Sequence, residues 1–285
     1  LRFLHQAIIR GALAMQNAPN GRSVSFCTPM TRLILLPGLA SNEALWRAQR
    51  EALAPWSPRV TDVHAREESI PAMATALLRE YTGPLVLCGA SMGGMIAMEA
   101  ARQAPERIAG LALLGTDARP DSPEMIELRT NAIGLFAQGR VREVIEPNIA
   151  FAFHPENAPA LAGSYLDFVL AAGAEQLIRQ NRAVIARPDA REHLPQVRCP
   201  VLVMCGDADQ LTPPERSREI ASLVPQARLV MVPRCGHMLT MERPEVVNGV
   251  LAEWLSFVIP AEAGIQGSHA PGSGSSGSPP KPAPA

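Results

Sequence analysis

The sequence predicts an α/β fold, a mostly parallel, doubly wound sheet with helices on both faces and a helical cap inserted late in the order. Three observations carry the prediction. Short apolar runs of strand length alternate with amphipathic stretches of helix length, and parallel neighbours need such crossovers. The alternation breaks between about 118 and 195, where helical stretches follow one another without a strand. The run LVLCG passes through Gly89-Ala90-Ser91-Met92-Gly93 directly into a helical pattern, a strand–turn–helix junction made of small residues around a serine.

In chain order, TRLILLPG reads as a buried strand ending in a turn. Ser41 and Asn42 are placed to cap a following helix with Leu45, Ala48, Ala52 and Leu53 on one face. RVTDV then leads into the helix IPAMATALLREY, LVLCG into MGGMIAMEAARQA, and IAGLALLGT supplies a further strand. SPEMIELRTNAIGLFAQG, RVREVIEPNIAFAF and AEQLIRQNRAVIA read as the helices of the cap. VLVMCG followed by PPERSREIASLV, and ARLVMVP followed by PEVVNGVLAEWLSFV, complete the pattern. The predicted organisation is a core of residues 31–117 and 196–257, a cap over 118–195, an N-terminal extension over 1–30 and a low-complexity tail over 258–285. The tail is expected to be disordered, because Gly, Ser, Pro and Ala bury too little surface to offset ordering. The opening stretch is a poor secretory signal, interrupted by His5, Gln6 and Arg10, and Met30 before the first strong strand is an expected start of translation.

Composition narrows the function classes. The chain has 285 residues, enough for one large α/β domain with an insertion, and 26 Lys and Arg against 27 Asp and Glu give a net charge of −1. Nothing resembles the basic stripe of a nucleic-acid binder, and no run approaches the roughly 18 to 20 apolar residues of a membrane span. Five cysteines without CxxC spacing suggest a reducing, cytoplasmic setting. Cys199, Cys205, Cys235 and His237 match no zinc spacing, so neither a metal nor an organic cofactor is expected. The sequence does not specify an oligomeric state.

The chemistry centres on Ser91. A tight turn from strand to helix strains the serine's backbone and excludes bulky residues two positions either side; it also lifts the hydroxyl to the sheet's upper edge, beside helix N–H groups. A serine needs a base, and the base an orienting carboxylate. His237 follows ARLVMVP, and Asp209 follows VLVMCG in CGDADQLTPP; Asp207 beside it and Asp117 after IAGLALLGT are alternative acids. The backbone N–H of Met92 is the natural first oxyanion donor, and that of Leu39, in the Pro37-Gly38-Leu39 turn, the second. His64, His154 and His193 lack such a context and read as structural or surface residues.

Strand-PGL-helix, GASMGG, GDADQLTPP and CGHMLTMERPE, in that order, resemble the α/β-hydrolase fold superfamily, in particular small bacterial members with a helical cap. That group contains esterases, thioesterases and the menaquinone-pathway lyase. The resemblance covers roughly residues 31–257. It implies Ser91 as nucleophile, His237 as general base and then acid, Asp209 as orienting carboxylate, and the amides of Leu39 and Met92 as oxyanion hole. Three departures stand out. Pro37 occupies the place of a common histidine, HAREESIPAM replaces a Gly-x-Gly-x-Ser loop, and only residues 1–29 are available for early hairpin strands.

These readings point to a serine hydrolase that cleaves a small ester or thioester through an acyl-enzyme on Ser91. The same triad serves carbon–carbon cleavage or elimination, for which Arg129, Arg182 and Arg187 offer a basic cluster, and some members of the fold are non-catalytic binding proteins. Substrate-facing candidates are Trp46, Phe136, Phe153 and Tyr165, among cap residues that include Met125, Ile126, Leu135, Phe151 and Phe168. Trp46 either packs over the pocket or closes the first helix.

Overall fold

The computed structural model describes residues 30–259, so the expectations for residues 1–29 and 260–285 lie outside the described residues. Six strands form one wholly parallel sheet in the order β2-β1-β3-β4-β5-β6: β1 Arg32–Leu36, β2 Arg59–Val60, β3 Leu85–Ala90, β4 Ile108–Leu114, β5 Val201–Gly206 and β6 Arg228–Val232. The inner strands read as unbroken apolar runs because both of their faces are covered. Ile34, Leu36, Leu85, Leu87, Leu111 and Val203 point to one face, and Leu33, Leu35, Val86, Cys88, Ala112 and Leu202 to the other.

The helices are α1 Arg47–Ala52, α2 Val63–Arg66, α3 Ile70–Glu80, α4 Met92–Gln103, α5 Pro123–Ala137, α6 Val141–Ala152, α7 Ala158–Ile185, α8 Pro214–Leu223, α9 Leu239–Glu242 and α10 Pro244–Val258. Met73 and Leu77 of α3, Ile96 of α4 and Ile220 of α8 pack in one core cluster, and Val247 and Leu251 of α10 in the other. The first helix differs from the prediction. Asn42 caps a 3-10 turn over Glu43–Trp46, which hands over to the short α1. RVTDV is likewise mostly loop, with a two-residue edge strand, because only one neighbour pairs with it.

Between β4 and β5 the chain is helical. Helix α7 starts at Ala158, well before the predicted AEQLIRQNRAVIA, and Gly173, with φ 77° and ψ 167°, joins its two halves at a kink. Helices α5, α6 and α7 pack on one another, and Asp121 ties α5 to the residues just beyond α7. Its Oδ1 accepts from Arg187 at 2.7 Å and its Oδ2 from Arg129 at 2.7 Å, with the Asp121 and Arg187 side chains 5% and 4% exposed.

Asp121→Ala leaves the Arg187 guanidinium buried and without its carboxylate. We expect a loss of about 3–5 kcal/mol of unfolding free energy, read from denaturant titration of the variant and the parent.

Candidate active site

Strand order reverses between β1 and β3, the place where open α/β sheets bind ligands. Ser91 sits there, between the end of β3 and the start of α4, with φ 53° and ψ −118°. A non-glycine residue held so costs on the order of 1–3 kcal/mol, and neighbouring contacts hold it in place. The Ser91 N–H donates to Leu114 O at 2.8 Å, and the Thr116 hydroxyl donates to Ser91 O at 2.7 Å. Small neighbours are obligatory. A Cβ on Gly89 would collide with the Gly93 backbone, and one on Gly93 with the Leu36 carbonyl.

The Gly38 turn after β1 approaches closely; a Cβ on Gly38 would lie 3.2 Å from the Ser91 Cβ. Leu39 and Met92, whose amides are the candidate oxyanion donors, line the same cavity as Ser91. The turn is held from the helical insertion. The Gln180 side chain of α7 accepts from Ala40 N–H at 2.8 Å and donates to His64 O at 2.9 Å. His64 in turn bonds Ser41 O through Nε2 at 2.9 Å, and burial lowers its pKa, so the neutral imidazole is a structural donor.

Asp209 and His237 meet across the ends of β5 and β6. The imidazole Nδ1–H donates to Asp209 Oδ2 at 2.9 Å, which turns Nε2 away from the carboxylate. The other Asp209 bonds come from its own loop: Leu211 and Thr212 N–H donate to Oδ1 at 2.9 Å, and the Thr212 hydroxyl to Oδ2 at 2.8 Å. Burial works against charge on either partner. For Asp209 it is outweighed by His237 and the Thr212 bonds, and the carboxyl falls below its usual range. For His237 it is outweighed by the charge and hydrogen bond of Asp209, with a contribution from Glu242, and the imidazole rises above its ordinary value. Asp207 instead accepts from Cys235 N–H, and Asp117 from Arg119 N–H beside Arg216, so neither is on the imidazole.

Ser91 and His237 line one cavity of about 490 Å³, walled on the insertion side by Met125, Leu135, Phe136, Tyr165 and Leu177. Two of the four aromatic candidates are elsewhere. Trp46 is fully buried in the core beside Leu33 and Leu35, because the 3-10 turn points it inward onto the sheet. Phe153 is buried behind the wall, its ring edge-on to Tyr165 at a centroid distance of 5.4 Å. Phe151 is exposed, and Ile126 and Phe168 are not among the residues lining the cavity. Of the three arginines only Arg129 reaches the cavity, its guanidinium shared with Asp121 and Asn181; Arg187 serves the fold and Arg182 is exposed.

Several residues at the site carry no signal in the local sequence. Thr212 adds a hydroxyl bond to Asp209, Gln180 holds the turn after β1, and Gly115, with φ 49°, keeps space beside Asp209 and His237. A Cβ on Gly115 would lie 3.3 Å from Asp209 Oδ2 and 3.4 Å from His237 Nδ1. The spacing within DADQLT is the one feature that could have marked Thr212, whereas Gln180 sits 140 residues from its partner and is invisible to local pattern.

A family model described as the alpha/beta hydrolase fold matches residues 31–244. A pimeloyl-(acyl-carrier protein) methyl ester esterase of Aromatoleum aromaticum is 27% identical over 253 residues, covering 75% of this chain and 93% of its own. The structure of a thermophilic esterase from Thermogutta terrifontis, with malate bound, is 31% identical with a TM-score of 0.73 over 81% of this chain and 91% of that one. An enol-lactonase from Burkholderia xenovorans, 23% identical with a TM-score of 0.69 over 79% of this chain and 92% of its own, shares the fold.

Two outcomes are expected. NMR titration of His237 gives a midpoint above the ordinary 6.5 in the parent and a lower one in Asp209→Asn. His237's contribution to stability is then complete below its unfolded-state value and lost as pH rises through its folded value, whereas that of Asp209, whose carboxyl is lowered, is lost as pH falls through its folded value. Gly93→Ala, whose new methyl meets the Leu36 carbonyl, destabilises the protein by about 3 kcal/mol or more, as thermal unfolding would show.

Proposed function

The chain belongs to the α/β-hydrolase fold family, and we propose that it cleaves carboxylic esters through an acyl-enzyme on Ser91. The observation that carries the reading is His237, which lines the same cavity as Ser91 and is bonded through Nδ1 to the buried Asp209 at 2.9 Å behind it. With Nδ1–H on Asp209, the free Nε2 is the lone pair that takes the Ser91 proton as the hydroxyl attacks the ester carbonyl. The tetrahedral oxyanion forms beside the amides of Leu39 and Met92. His237 then passes the proton to the departing alcohol, and the same base activates water to release the acid.

The cavity is of ordinary ligand size, within the range of about 300–1,000 Å³, and its insertion wall is largely apolar, which suits an acyl chain longer than acetyl. The relatives named as esterases support oxygen esters over thioesters, and the one named for a pimeloyl-(acyl-carrier protein) methyl ester supports a small alcohol as leaving group. Elimination chemistry draws less support, since of the three candidate arginines only Arg129 lines the cavity, and its guanidinium is shared with Asp121 and Asn181.

The test is hydrolysis of 4-nitrophenyl esters from acetate to decanoate. Serine-dependent turnover with an optimum beyond acetate is expected, with Ser91→Ala lowering kcat/KM by about 10⁴-fold or more. Equal turnover by both proteins would sink the proposal. The acid limb of kcat/KM against pH should lie above 6.5 in the parent and move down in Asp209→Asn, because the base works only when neutral.

A further inference from the structure

We propose that Glu242 is a positioning residue for His237, coupling the loop of the base to the helical insertion; this rests on His237 being the base. Glu242 ends α9, is buried, and has no Lys or Arg partner among the described residues. Five hydrogen bonds converge on its carboxylate, all from N–H groups. Oε1 accepts from Gly236 N–H at 3.0 Å and Met238 N–H at 3.1 Å. Oε2 accepts from Gly236 N–H at 3.1 Å, His154 N–H at 2.8 Å and the Asn157 side chain at 2.9 Å.

The donors come from two places. Gly236 and Met238 flank His237, whereas His154 and Asn157 lie between α6 and α7 in the insertion. His237 is tied to the insertion by its own backbone as well. Its N–H donates at 2.9 Å to the carbonyl of Ala152, the last residue of α6, where a helix leaves its carbonyls unpaired. Three successive amides, 236 to 238, thus end on Glu242 or Ala152. The contact is close enough that a Cβ on Gly236 would meet the backbone of Phe153 and His154. The imidazole has only its side-chain torsions left to set, and the bond to Asp209 sets them.

A carboxylate is required here because both oxygens face donors. In Glu242→Gln the new amide would aim an NH₂ at either the Gly236–Met238 pair or the His154–Asn157 pair, a donor against donors at unchanged size. Loosening that side lets His237 shift relative to Ser91, and misplacement on the order of 1 Å costs about 100-fold in rate. Substrate binding should be spared, since Glu242 is not among the residues lining the cavity.

The experiment compares the parent, Ser91→Ala and Glu242→Gln on whichever nitrophenyl ester the parent turns over fastest, with a thermal unfolding curve for each. The expected result is a folded Glu242→Gln protein with kcat lowered about 10- to 100-fold and KM within about 3-fold of the parent. A folded Glu242→Gln protein with parental kcat, or one altered in KM alone, overturns the positioning role. Parental turnover by Ser91→Ala overturns the catalytic reading beneath it, whatever Glu242→Gln does. If Glu242→Gln shows no cooperative unfolding, Asn157→Leu, which removes one donor at the partly exposed edge of the cluster, takes its place. A kcat loss of about 3- to 10-fold at parental KM supports the proposal, and parental kcat overturns it.

Discussion

The backbone of Ser91 is the constraint on which the rest of the site depends. A positive φ at a residue with a side chain is tolerated only where its surroundings over-determine it, and here three elements do so. The end of β4 and Thr116 beyond it bond its N–H and C=O, glycines at 89 and 93 leave room for the turn, and the turn after β1 packs so closely that a Cβ on Gly38 would lie 3.2 Å from the Ser91 Cβ. Each contact also builds the site. The approach of β1 that forbids a side chain at Gly93 is followed by a turn that sets Leu39 in the cavity wall, and the turn that strains Ser91 starts α4 with Met92 in the same wall.

The helical insertion is more than a roof over the cavity. Gln180 holds the turn after β1, and Ala152 with the segment before α7 holds the loop of His237, so two of the three loops around Ser91 are fastened to it. Asp121 keeps α5 and the end of α7 together around two guanidinium groups. The consequence is that residues far from the Ser91 hydroxyl and the His237 imidazole hold the loops around them, and the apolar wall comes with the same helices. Its width and its precision are therefore coupled.

Local chemistry explains why Asp209 rather than its neighbours faces the imidazole. Its loop folds back so that Leu211 and Thr212 supply three bonds to one carboxylate, two on Oδ1 and one on Oδ2, and Oδ2 takes Nδ1–H as its second donor. Asp207, two residues earlier, points the other way and binds the chain at Cys235. The paired charges then offset the burial that would otherwise neutralise both.

The order of strands and helices, the serine turn and the Asp209 and His237 that meet at two later strand ends were legible in the sequence, because each is a local pattern: period, small residues at fixed offsets, a polar residue just past an apolar run. The limits of α1, β2 and α7 were not, since edge pairing and a kink at Gly173 decide them. Nor was the lining of the cavity. Trp46 and Phe136 are both aromatic residues in helical stretches, yet one packs into the core beside Leu33 and the other faces the cavity, because which side of a helix meets the sheet depends on where the helix is set down. Gln180 is an ordinary polar residue in the chain, and Glu242, though inside CGHMLTMERPE, shows nothing there of its bonds to the helical insertion. Their partners lie at separations of 140 and up to 88 residues, and only the folded chain brings those donors and acceptors within reach.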